Sequence, residues 1–125
     1  MESTASGHFT QLKIHERQTR GIPVLDLKGR LTIGPSLSLF ETAANRILAD
    51  FKPRRLLLNL REVSQIDSAG LGEIMILYTA AAQVKCTLIV VGASPGVRQL
   101  LRITRADGIL NLFDDETAAV SAAVS

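Results

Sequence analysis

Val63-Ser64-Gln65-Ile66-Asp67-Ser68-Ala69-Gly70-Leu71-Gly72 leaves a strand, turns, and enters a helix. Just before it, Leu56-Leu57-Leu58-Asn59-Leu60 is a short apolar run of strand length, the pattern of a central strand covered on both faces. After it, Leu71, Ile74, Met75, Tyr78, Ala81 and Ala82 recur at helical spacing in one wide apolar stripe, which Ile76 and Leu77 widen further. A helix this apolar either sits deep in a core or presents its surplus to a partner. A strand feeding directly into an apolar helix is the unit of α/β folds, and the flanking segments repeat it.

Upstream, Leu12 and Ile14 alternate with polar residues as in a half-buried strand, and Val24, Leu25 and Leu27 suggest a second. The polar stretch from Glu16 to Gly21 reads as the connection of a hairpin. Gly34-Pro35-Ser36 then punctuates the chain before Leu37, Phe40, Ala44, Ile47 and Leu48 recur as an amphipathic helix ending near Asp50. Ser38 with Glu41 has capping-box spacing, and Ser36 is an equally good cap. Downstream, Thr87 to Val91 is a β-branched strand, Ser94 is placed to cap the next helix, and Pro95 suits its first position. That helix runs through Val97, Leu100, Leu101 and Thr104, with Arg98, Arg102 and Arg105 on another face. A short strand near 109–113 and an alanine-rich helix opened by Asp114-Asp115 complete the order.

The expected architecture is therefore a single α/β domain with a mixed, mostly parallel β-sheet, its first hairpin antiparallel and its helices packed on the sheet. Leu57, Leu58, Ile74, Tyr78, Ile89, Val90 and Leu101 are expected in one core. Residues 1–8, small and polar, are expected to form a flexible N-terminal tail, with the domain over 9–125.

The 125 residues and their 46% hydrophobic content suit one domain with one core. No apolar run approaches the ~20 residues that cross a bilayer, and Met1 to His8 lack the order of a secretory signal. The expectation is a cytoplasmic protein without a membrane span. Cys86 has no partner cysteine, and with two histidines no zinc cluster is expected. A net charge of +2 would permit nucleic-acid binding, but the charges are interspersed and aromatics are only 4%, which argues against a base-stacking platform.

Catalytic patterns are weak. No serine sits in a glycine-flanked nucleophile elbow, and His8 and His15 lie far from Ser68 in the chain. Asp67 and Glu73 fall on different parts of the first helical turns, a poor acid–base pair. Gly70-Leu71-Gly72 and Gly92 to Gly96 precede helices but lack the lysine and hydroxyl of a phosphate-binding loop. The three arginines either face solvent or meet an acidic partner or phosphate. Ser68 remains: at a helix N-terminus its hydroxyl caps backbone amides, and the same amides and dipole favour a phosphate if a kinase adds one.

From about Leu12 to Val120 the chain resembles the STAS family, specifically the bacterial anti-sigma-factor antagonists. The resemblance is carried by Ile66-Asp67-Ser68-Ala69-Gly70-Leu71-Gly72, with Gly29-Arg30-Leu31, Leu58-Asn59-Leu60, and Ser94-Pro95 followed by Val97-Arg98 and Leu100-Leu101 in matching order. It implies that Ser68 is the phosphorylated residue and that Asp67, Ser68, Ala69, Gly70, Leu71 and Gly72 form the partner-binding segment. It implies a non-enzymatic partner switch, with no cofactor, acting in signal transduction and transcription regulation. The partner is an anti-sigma factor that is also a serine kinase; a metal-dependent serine phosphatase reverses the modification, and the free protein is a monomer. Two departures stand out: Ala69 removes a second hydroxyl that many relatives carry, and Asn59 replaces an aspartate expected beside the motif. A constitutive STAS scaffold, or a small-ligand-binding domain without a phosphoswitch, is the competing expectation, and the chain length argues against a transporter fragment.

Overall fold

The computed structural model describes residues 12–124, so the expected tail at 1–8 lies outside the described residues. The order of elements is β1 (Leu12–Thr19), β2 (Ile22–Leu31), α1 (Pro35–Phe51), β3 (Arg55–Ile66), α2 (Ser68–Gln83), β4 (Thr87–Val91), α3 (Pro95–Ile103), a 3-10 turn (Ala106–Gly108), β5 (Asn111–Phe113) and α4 (Glu116–Val124). The strands form one five-stranded sheet in the order β1-β2-β3-β4-β5. β1 and β2 are antiparallel, and every other neighbouring pair is parallel. The expected mixed, mostly parallel α/β architecture is what the chain forms.

Several local expectations change. The hairpin connection is not Glu16 to Gly21: pairing continues to Thr19↔Ile22, and only Arg20 (φ 50°) and Gly21 (φ 78°) turn the chain. Two consecutive left-handed residues make the tight turn whose twist matches the strands it joins. Ser36 and Ser38 do not cap α1. Its N-cap is Gly34, with Pro35 in the first turn and Ser36 buried. Ser94 does cap α3, accepting from the Val97 amide at 3.3 Å, with Pro95 next. The arginine face is broken, because α3 ends at Ile103 and Arg105 lies beyond it with φ 64°. Arg98 instead donates to the Ala93 carbonyl and to Asp114.

The single expected core is in fact two, one on each face of the sheet. Side chains alternate along a strand, so Leu56, Leu58 and Leu60 point into a large cluster under α1, α2 and α3, with Phe40, Ile74, Val90 and Leu101. Leu57 and Ile89 point the other way, joining Val24, Val91, Ala119 and Val120 beneath α4. Tyr78 packs half-buried against the larger cluster. Most of the α2 stripe is core, but Ile76 is 54% exposed and Ala82 also faces outward. Cys86 is buried, and burial pushes its thiol up to about 11, so it packs as a small apolar side chain. No helix among the described residues is long and apolar enough to cross a membrane, and no group of three or more His, Cys, Asp or Glu there could hold a metal.

Candidate functional site

The end of β2 and the start of α2 meet where β3 runs out. The Asp67 amide donates to the Leu31 carbonyl at 3.4 Å. The Asp67 carboxylate then spans two segments: Oδ1 accepts from the Gly70 amide at 2.8 Å, and Oδ2 accepts from the Ile33 amide at 2.9 Å. One side chain thus caps α2 and ties down the loop that leads into α1. The Ile33 amide bond, then that of Gly70, holds the Asp67 carboxyl below the ordinary aspartate value. Asp67, not Ser68, is the N-cap. Ser68 is the first helical residue, exposed, and its hydroxyl makes no hydrogen bond among the described residues.

The rest of the expected segment divides by burial. Gly70 and Leu71 are buried: a Cβ at Gly70 would stand 2.0 Å from the Leu31 carbonyl oxygen, so only glycine lets α2 approach β2 this closely. Ala69 and Gly72 are half-buried, and with Ser68 they form the accessible part of the turn. Beside them Ile33 is 75% exposed. It was missed in the sequence because it fits neither the strand nor the helix period; an apolar residue stranded before Gly34-Pro35 was the signal available. Asp67 and Glu73 do not act as a pair. Asp67 is engaged by amides, while Glu73 lines the α1–α2 groove, its pKa raised by burial and by the Glu41 charge.

A second polar constellation lies on the face of the sheet that α4 only partly covers. Arg17 donates to both oxygens of Asp26, at 2.6 and 3.0 Å, and to both oxygens of Glu116 on α4. Asn59 donates to Asp26 Oδ1 at 2.8 Å and accepts from the Arg61 amide at 3.0 Å. Burial alone would raise the Asp26 pKa, but the hydrogen bonds from Arg17 and Asn59 outweigh it and hold the carboxyl low. The Arg17 hydrogen bonds likewise hold Glu116 low. Asn59 therefore does not stand beside the Asp67-Ser68 motif as expected; it serves the opposite sheet face, where it is the amide donor that Asp26 requires.

The family model for the STAS domain matches residues 13–119. The chain belongs to the STAS domain family. Solved structures share the fold of this STAS domain. An anti-sigma factor antagonist from Mycobacterium paratuberculosis is 22% identical, over 91% of this chain and 95% of that one, with a TM-score of 0.81. A STAS domain protein from Planctomyces limnophilus, described as an anti-sigma-factor antagonist, is 14% identical over 90% and 98%, with a TM-score of 0.78. The Bacillus cell fate determinant SpoIIAA in its phosphorylated form is 17% identical over 90% and 100%, with a TM-score of 0.69.

Proposed function

We propose that this STAS domain is a bacterial anti-sigma-factor antagonist, switched by phosphorylation of Ser68. Unmodified, it binds an anti-sigma factor that is also a serine kinase and so frees the sigma factor. The kinase, which supplies the ATP, phosphorylates Ser68 and lets go; a metal-dependent phosphatase restores the unmodified form. The observation that carries the reading is the division of labour at the start of α2: Asp67 caps the helix, leaving the Ser68 hydroxyl exposed and unengaged among the described residues. Ser68, Ala69 and Gly72 would meet the partner, while Asp67, Gly70 and Leu71 hold them in place. On this reading the chain is not itself an enzyme, acts in the cytoplasm, and is a monomer when free.

The switch works by charge. Phosphoserine brings about −1.5 to −2 charges, which the amides of its own helix N-terminus accommodate. A partner surface fitted to a neutral hydroxyl does not: one acidic group at ~6 Å repels two charges by roughly 1 to 5 kcal/mol across effective dielectrics of 80 to 20. That weakens affinity about tenfold to several thousandfold. Calorimetric titration of the cognate kinase should show tight binding by wild type and Ser68→Ala, and poor binding by Ser68→Asp and the phosphorylated protein. Equal affinities for all four would remove the switch and leave a constitutive STAS scaffold.

A further inference from the structure

Among the described residues, the sheet face that α4 only partly covers holds a depression of about 710 Å³, lined by none of the residues of the Ser68 turn. Its residues fall into rows by strand register. Arg17 stands opposite Val24 in the row nearest α4; His15, Asp26 and Asn59 form the next; Lys13 and Lys28 stand directly opposite one another in the row beyond. Like charges directly opposed across an antiparallel pair destabilise a sheet. Alongside, the β2–β3 register slips between Asp26 and Lys28, and the irregularity brings Arg61 and Glu62 to the same depression. Such bulges serve to re-aim side chains.

Glu62 stands opposite Lys28 in register and is the one carboxylate of this outer row, which keeps a positive excess from Lys13, Lys28 and Arg61. Asp26 and Glu116 are both engaged by Arg17, in the inner rows. Lys13, Lys28, Arg61 and Glu62 form no ion pair among the described residues. Four cations and three carboxylates line the depression, a formal excess of one positive charge. The floor is also held in advance. Asn59 fixes the Arg61 amide, and Gly92 packs so close to Arg61 that a Cβ there would lie 3.1 Å from the Arg61 Cβ.

We infer that this depression is a binding site for a small dianion, a phosphate monoester or a dicarboxylate, held between Lys13, Lys28 and Arg61 over the floor formed by Asn59. The bound dianion turns the Lys13–Lys28 repulsion into a shared attraction, and it does so on the face of the sheet opposite the Ser68 turn.

Inorganic phosphate and malonate are suitable probes, each titrated in chloride buffer at matched ionic strength while backbone amide shifts are followed by NMR. Saturable shifts are expected at Lys13, Lys28 and residues 59–62. Saturation by phosphate alone identifies a phosphoryl ligand, by malonate alone a dicarboxylate, and by both the shared dianion chemistry. Lys28→Gln and Arg61→Gln should each weaken binding by at least about fivefold, as loss of one close charge does. Lys13→Ala gives an independent reading: it should raise the Tm without probe, by relieving repulsion, and reduce the stabilisation that the probe confers. Shifts confined to Ser68–Gly70, non-saturating shifts, or equal affinity in the glutamine variants would overturn the site.

Discussion

Asp67 and Ser68 are neighbours of similar capping ability, and the fold gives them different work. The Asp67 carboxylate accepts two amides from two segments, whereas the Ser68 hydroxyl accepts none among the described residues. Asp67→Ala should therefore cost about 0.5–2 kcal/mol, the range for a lost N-cap. Ser68→Ala should change stability by less than about 0.5 kcal/mol, as surface substitutions away from such features do. Urea denaturation of the two variants checks this, and a larger loss for Ser68→Ala would reverse the assignment of the cap. The sequence marked this turn but not the capping atom, because the second amide comes from Ile33, on another element.

Arg17, Asp26, Asn59 and Glu116 join β1, β2, β3 and α4 through side chains alone. Asp26 and Glu116 have folded pKa values below their ordinary ones. The stability they contribute is present above the unfolded values, about 3.9 and 4.3, and is lost as pH falls through the lower folded values. Asn59→Asp would replace a donor to Asp26 with a second carboxylate. It should destabilise the domain at pH 7 by about 1–2 kcal/mol, a modest figure because the network is partly solvated. The gap from wild type should narrow near pH 4.5, because crowding raises the pKa of one of the two carboxylates and its protonation relieves the repulsion. Chemical denaturation at both pH values tests this; a gap that widened on acidification would refute the carboxylate contact. Nothing in local periodicity pairs position 59 with position 26, since only the parallel register of β2 and β3 brings them together.

The sheet divides the interior, so adjacent residues of one strand stabilise different layers. Leu58 is fully buried in the large cluster under α1, α2 and α3, and Leu58→Ala should cost about 2–5 kcal/mol. Leu57 is equally buried but lies beneath α4, a short helix that can settle onto the space left behind. Leu57→Ala should fall near the lower end of the same range, about 2 kcal/mol. Guanidinium denaturation of both variants measures the difference. A cost below about 0.5 kcal/mol for Leu58→Ala would contradict its place in the core.

The sequence by itself determined the number, type and order of the elements, because period-two and helical spacing of apolar residues are local properties of strands and helices. It also marked Asp67-Ser68 as the strand-to-helix turn, through the glycines and polar residues that interrupt those periods. Only the tertiary structure decided that the core is split in two, that Ile33 stands exposed beside Ser68, and that Asn59 faces away from the motif it was expected to stand beside. These features depend on register and on which helix covers which sheet face. Both are set by contacts between residues far apart in the chain, to which a local pattern is blind.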